Sequence, residues 1–309
     1  MSDAPLSTLS RITLVIPFFN ESACLAGMLD ELQVQMERVH STSGIDYDVI
    51  LVDDGSTDDT WKIIEHQCLQ RMQLSGIRLR VNAGQQAALL CGYVHAQGEW
   101  VLTLDADLQD PPEVLADMLR LTHDGAEIVI GRRRSREIDT PLKRVTAFGF
   151  YRLMQVLGVS AETMQAGDFR LMSRAAVAEL VNASHVPLFH RFTIFDLGFR
   201  IASVEYDRGR RFAGDTKYSY RRMISLAFQA AWSSRQTRRR LAAICVAVQV
   251  ASVCLVAMLA LFTGNLRLAM AVGSLQLALL AVFLVPAICF MWERSENTPC
   301  FQVSQRCGN

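Results

Sequence analysis

The sequence predicts an α/β domain built on a mostly parallel sheet, followed by a two-helix transmembrane hairpin. Three observations predict it. Short continuous apolar runs alternate with stretches of helical apolar spacing, the pattern of strands covered on both faces and joined by crossover helices. Each run ends in polar residues able to carry chemistry. Further along, 241–263 and 268–292 are uncharged apolar stretches, each long enough to cross a bilayer. The chain therefore divides into a domain at 1–217, an interfacial helix and basic linker at 218–240, the hairpin at 241–292 and a tail at 293–309.

The elements follow in order. The first strand, Arg11 to Ile16, ends at Pro17-Phe-Phe-Asn-Glu21, and Leu25, Met28, Leu29, Leu32 and Met36 then share one face of a helix. The second strand, Tyr47 to Val52, ends at Asp53-Asp-Gly-Ser-Thr-Asp58. Ser56 with Asp59 makes a capping pair for the next helix, which leaves Asp53 and Asp54 unexplained by the turn. The third strand, Ile77 to Val81, ends at Asn82-Ala-Gly84, and the fourth, opening at Trp100, ends at Asp105. Asp110-Pro-Pro-Glu113 reads as a helix start, with an N-cap acid, Pro at the first helical position and Glu at the third. A fifth strand, Glu127 to Ile130, gives way to the basic run Gly131-Arg-Arg-Arg-Ser-Arg136. In such sheets ligands bind at the carboxyl ends of the strands, so these polar groups share one rim.

Asp105 and Asp107 stand at i, i+2 where a strand becomes a loop, and together they can hold one hard cation that in turn holds a diphosphate. The dinucleotide fingerprint and the P-loop are both absent, so a glycine-rich loop does not cradle the phosphates. Surplus carboxylates suit sugar or ribose hydroxyls. The basic run after the fifth strand and a second cluster, Arg208, Arg210, Arg211 and Lys217, supply guanidinium and ammonium groups for phosphate oxygens.

Charge sets the expected topology. Arg235, Arg238, Arg239 and Arg240 crowd the entry to the first apolar stretch, whereas the connecting Gly264-Asn-Leu-Arg267 carries one cation. The positive-inside rule places the domain and the tail in the cytoplasm, with two membrane passes between them. Met1 to Ser10 lacks the features of a signal peptide. Gln249 and Gln276 suit hydrogen bonding between the two spans. Tyr218 to Trp232 suits a helix in the membrane interface, and Thr140 to Leu157, with Lys143, Arg144 and Arg152, is a second amphipathic candidate. The eight cysteines follow no metal spacing. Cys24, Cys68, Cys91, Cys245, Cys254 and Cys289 read as small apolar packers, and Cys300 and Cys307 as idle thiols in a polar tail. A formal net charge of zero argues against nucleic acid as a partner.

The sequence resembles the family 2 glycosyltransferases. The residues that carry the resemblance are Val15-Ile-Pro17-x-x-Asn-Glu21, Val52 to Thr60, Asn82-x-Gly84, Asp105-Ala-Asp-Leu-Gln-Asp-Pro-Pro-Glu113, Gly167-Asp-Phe-Arg170 and Arg211 to Ser219. Their combination is similar to the branch that moves a sugar from a nucleotide onto a polyprenyl phosphate. That branch includes dolichol-phosphate mannose synthases, bactoprenol glucosyltransferases and undecaprenyl-phosphate aminoarabinose transferases. The resemblance implies the A-type glycosyltransferase fold, a nucleotide-sugar donor, a lipid acceptor at the membrane, and Mg²⁺ or Mn²⁺ as cofactor. A homo-oligomer is compatible with it, and the products would serve cell-envelope glycan modification or glycosylation.

It also implies roles residue by residue. Asp105, Asp107 and Gln109 would hold the metal. Pro17, Phe19, Glu21, Asp53, Asp54 and Gly84 would line the donor pocket, with Asp105 and Ala106 beside the diphosphate. Arg132, Lys143, Arg144 and Arg170 would meet anionic groups of the substrates. Arg211 and Lys217, on a loop near the sugar and both phosphates, and Asp168 would be catalytic. A phosphate monoester has a second pKa of about 6 and needs no base to attack, so Asp168 either acts as a base or orients the sugar or Arg170. A polysaccharide synthase of the same fold is the nearest rival; Gln236-Thr-Arg-Arg-Arg240 lacks the tryptophan of that group's motif. A non-catalytic membrane anchor is a second rival. Glucose, mannose, N-acetylglucosamine and aminoarabinose donors stay open, as do UDP and GDP.

Overall fold

The structure, a computed structural model, describes residues 11–134, 166–183, 190–207 and 301–308, with helical positions at 243, 247–256, 258 and 262. Eight described strands form one sheet: β1 (Arg11–Phe18), β2 (Asp46–Asp53), β3 (Leu74–Leu79), β4 (Trp100–Thr103), β5 (Ile128–Arg133), β6 (Arg170–Ser173), β7 (Ile201–Tyr206) and β8 (Val303–Cys307). Their order across the sheet is β7-β5-β6-β4-β1-β2-β3-β8. The pairs of β1 with β2 and β4, of β2 with β3, and of β5 with β7 are parallel. β6 runs antiparallel between β4 and β5, and β8 antiparallel along β3.

Alternation along the strands builds a core on each face. Ile12, Leu14 and Ile16 of β1 meet α1 (Leu25–Ser43), α2 (Thr60–Gln70) and α4 (Leu115–His123) on one side. Val15, with Ile50 and Val52 of β2, meets α3 (Gln85–His95), α5 (Arg174–Ala183) and α6 (His190–Asp196) on the other. The predicted helix face of Leu25, Met28, Leu29, Leu32 and Met36 is fully buried in α1. Cys24, Cys68 and Cys91 are buried packers, as expected.

Several local expectations are corrected. β3 begins at Leu74 and ends at Leu79, because the backbone of Leu74 to Gly76, which carries no apolar run, pairs with Val49 to Leu51. β5 runs on to Arg133, so Arg132 and Arg133 belong to a strand and not to a loop. Asp59 stands at the N-cap of α2 but its side chain makes no capping bond, and Ser56 does not pair with it there. The bond comes from Asp58, its Oδ1 accepting from Thr60 N at 3.0 Å and Thr60 Oγ1 at 2.6 Å. Asp110 is no N-cap either: a 3₁₀ turn at Pro112–Val114 precedes α4, and the Asp110 carboxylate turns inward.

The largest correction concerns the tail. Residues 303–307 are the edge strand β8, and Cys307 packs beside Cys68 and above Gly76. A Cβ on Gly76 would lie 2.6 Å from Cys307 Sγ, so the absence of a side chain there is what admits the thiol. Among the described residues no helix is long and apolar enough to cross a membrane. Most of the two predicted spans, and the amphipathic segments at 140–157 and 218–232, lie outside the described residues. Of the first span, 247–256 is helical, and it exposes Val248, Val250, Val253 and Leu255.

Candidate active site

The loops that leave β1 and β2 are bolted to each other. Asn20 adopts the left-handed region, φ 56°, which brings its Oδ1 to accept from Thr57 N at 2.9 Å. Its own N–H donates to Ser56 Oγ at 2.9 Å. Glu21 N donates to Thr60 Oγ1, also at 2.9 Å, and Ser22 N to Asp58 Oδ2 at 3.2 Å. Glu21 Oε2 accepts from Cys24 Sγ at 3.2 Å; burial, with this carboxylate beside it, pushes the thiol up to about 11. Phe19 is 43% exposed at the rim, where its ring can meet a flat partner.

Asp53 and Asp54 are both buried. Asp53 Oδ1 accepts from Ser56 N at 3.0 Å, and its Oδ2 is 3.2 Å from Arg78 Nε. Asp54 reaches across to the loop after β3, accepting from Ala83 N at 2.7 Å and, through Oδ2, from Gly84 N at 2.9 Å. Burial pushes the Asp54 carboxyl up to about 6, although both amides favour its charged form. Gly55, at φ 66°, turns the chain so tightly that a Cβ would meet the Val81 carbonyl carbon at 2.5 Å. The first acid thus shapes its own turn, and the second fixes where α3 begins.

That start of α3 joins the remaining acids. Gln85 Nε2 donates to Asp105 Oδ1 at 3.0 Å, and Gln86 Nε2 donates to Asp168 Oδ2 at 3.3 Å. Asp168 Oδ1 in turn accepts from Arg170 Nη2 at 3.0 Å, and the Arg170 side chain is wholly buried. Asp105, at the end of β4, and Asp168, just before β6, are thereby set side by side along one helix terminus.

The loop after β4 is held from below. Leu108 has φ 47°, and Asp107 Oδ1 accepts from Gln109 N at 3.2 Å. Asp110 is only 2% exposed. Its carboxylate accepts from the Tyr206 hydroxyl and, at 3.2 Å, from Arg133 Nη2, and Arg133 Nε donates to Tyr206 Oη at 3.2 Å. Burial beside this carboxylate raises the Tyr206 phenol far above its ordinary range.

The structure therefore brings Pro17, Phe19, Glu21, Asp53, Asp54, Gly84, Asp105, Ala106, Asp107 and Gln109 to the same rim, with Asp168 and Arg170 beside it. Arg132 lies at the end of β5. Lys143, Arg144, Arg211 and Lys217 lie outside the described residues. Gln85, Gln86, Asp110 and Arg78 were not expected. Only the paired glutamines had a signal in the sequence, since they follow Asn82-x-Gly84 directly at a helix start. Among the described residues no three carboxylate, imidazole or thiol groups gather to cage a cation. Asp105 and Asp107 fit a divalent ion of the Mg²⁺ type that takes one or two carboxylates and completes its shell with phosphate and water. The buried Gln109 Oε1, which has no hydrogen-bond partner among the described residues, adds a hard oxygen to the same loop.

Residues 13–181 match the family described as glycosyl transferase family 2. The chain is 41% identical over 221 residues to the uncharacterized glycosyltransferase YkoT of Bacillus subtilis, covering 70% of this chain and 65% of that protein, less than two thirds of its length. It is 32% identical over 219 residues to the prophage bactoprenol glucosyl transferase homolog of Escherichia coli, covering 71% of this chain and 70% of that protein. With the bactoprenol glucosyl transferase of Shigella phage SfV the identity is 31% over 219 residues, with the same coverage of 71% and 70%.

Proposed function

The chain belongs to the family 2 glycosyltransferases, and from that premise we propose that it moves a sugar, with inversion, from a nucleotide-sugar to a polyprenyl phosphate at a membrane surface. The observation that carries this reading is the row of acids along the start of α3. Gln85 holds Asp105 on the diphosphate side, and Gln86 holds Asp168 on the side a second substrate must approach. The names of the bactoprenol transferases, similar over most of their length, support a lipid phosphate as that substrate.

In the proposed reaction an oxygen of the acceptor phosphate attacks the anomeric carbon opposite the leaving nucleoside diphosphate. A C–O bond forms on one face as the bond to the diphosphate breaks on the other. The phosphate, with a second pKa of about 6, is already anionic near neutral pH, so no proton has to be removed. Asp168 is then an orienting group whose charge is balanced by Arg170. Asp105, Asp107 and Gln109 would hold Mg²⁺ or Mn²⁺, which when bound neutralises diphosphate charge. Asp53 and Asp54, with Pro17 and Glu21, would frame the nucleoside end. Arg211 and Lys217 would meet the two phosphates.

The proposed setting is a membrane, with the domain and β8 on its cytoplasmic side. The apolar stretches 241–263 and 268–292 support it, as do the exposed apolar side chains of the helix at 247–256. The test is transfer itself. The purified chain in detergent is given undecaprenyl phosphate, Mg²⁺ or Mn²⁺, and radiolabelled UDP- and GDP-sugars, and label is counted in the organic phase. One donor should label lipid, and EDTA or Asp107→Ala should abolish it. Hydrolysis or polymerisation of a donor without lipid labelling would discard the acceptor assignment.

A further inference from the structure

β8 does more than extend the sheet, because one of its side chains holds an arginine that reaches the loop after β2. Arg78 of β3 is the link. Its Nε lies 3.2 Å from Asp53 Oδ2, its Nη2 donates to the Ser56 carbonyl at 3.0 Å, and its Nη1 donates to Gln305 Oε1 at 3.2 Å. A guanidinium is planar and rigid, so fixing one nitrogen restricts where the other two can point. Two of its contacts define the Asp53–Ser56 turn, and the third comes from β8.

The position of Gln305 is itself tightly set. Arg78 and Gln305 are direct partners in the β3–β8 pairing. Arg80 N donates to the Gln302 carbonyl at 2.7 Å, and Ser304 Oγ to the Arg78 carbonyl at 3.2 Å. Cys307 Sγ fills the space over Gly76, so a slip of the strand would drive a different side chain onto that glycine. Meanwhile Asp53 is entirely buried; burial raises its carboxyl, and the hydrogen bonds from Ser56 and then the Arg78 charge oppose that.

We propose that β8 is a working part of the donor site, with Gln305 as a positioning residue that holds the Arg78 fork on Asp53 and Ser56 and so orders the nucleoside-binding turn. The inference rests on the reading of that turn as the donor's nucleoside end. It makes the segment that returns from the proposed hairpin a structural requirement for donor binding.

Full-length Gln305→Ala and Gln305→Glu in detergent test it by UDP and GDP titration, donor KM and kcat, thermal midpoint, and backbone hydrogen exchange over 53–57. Gln305→Ala should raise the nucleotide Kd and donor KM roughly three- to tenfold, the effect of losing one exposed hydrogen bond. Its kcat and melting midpoint should hold, since Gln305 is exposed, and exchange over 53–57 should quicken. Gln305→Glu, whose carboxylate accepts the same bond, should restore all of these. Wild-type affinity and exchange in Gln305→Ala would overturn the proposal, as would equal impairment of both variants. If the wild type binds neither nucleotide, the donor reading falls, while exchange over 53–57 still decides whether β8 orders the turn.

Discussion

Asp168 and Arg170 shield each other from water, Asp168 at 3% exposure and Arg170 at 0%. Removing one member of such a pair strands the other charge in a low-dielectric interior. Asp168→Ala should therefore cost about 3–5 kcal/mol of stability, seen as a large fall in the unfolding midpoint of the full chain. Asp168→Asn also leaves the Arg170 charge unbalanced, but it keeps an oxygen for Arg170 Nη2 and should cost less than Asp168→Ala. Its turnover is the informative number. Loss of a true general base costs roughly 10²–10⁴-fold, whereas an orienting residue facing an already anionic acceptor should cost about tenfold or less. Single-turnover transfer to undecaprenyl phosphate measures it, and a loss near a thousandfold would restore the base role.

At the scale of elements, α2 depends on an acid that also ties down the loop after β1. Asp58 is opposed by some burial, but hydrogen bonds from Thr60 and Ser22 outweigh this and hold its carboxyl at about 2. A depressed carboxyl contributes stability above its unfolded pKa of 3.8 and loses it as pH falls toward 2. The drop in melting midpoint between pH 4 and pH 2 should therefore be smaller in Asp58→Asn, a competent neutral cap, than in the wild type. At neutral pH Asp58→Ala should cost about 1 kcal/mol. The Asp110–Tyr206–Arg133 cluster under the Asp105–Gln109 loop makes a second prediction. Tyr206→Phe should destabilise by about 1–3 kcal/mol and weaken Mn²⁺ binding, because a buried acceptor loses its donor and the loop above it loses its support. Titration of Mn²⁺ in the presence of UDP checks the second half. What the sequence revealed at this scale was what local pattern encodes: the strand cores, the buried face of α1 and the acids at the strand ends. Asp58 and Asp59 are indistinguishable as caps until the chain bends. Asp110 looked like a cap because its true partner, Tyr206, stands 96 residues away. β8 has no apolar run of its own and exists only through its pairing with β3.

For the whole molecule, that pairing constrains the path of the chain. β7 ends at Tyr206 and β8 begins at Val303, and both lie in one sheet. A segment whose two ends share a sheet can cross a bilayer only an even number of times. The proposed hairpin makes it two, and Arg235, Arg238, Arg239 and Arg240 favour the sheet on the cytoplasmic side. The loop Gly264 to Arg267 then faces the opposite compartment. A cysteine placed at Asn265 should react with a membrane-impermeant maleimide in right-side-out vesicles, above the labelling of the unaltered chain, and not in inverted ones. A cysteine at Ser304, exposed on β8, should show the reverse. If both sites label only in inverted vesicles, the apolar stretches do not span as a hairpin. If Asn265 behaves as expected while Ser304 labels with it from the outside, β8 has left the sheet, and the donor-site role argued for Gln305 fails with it.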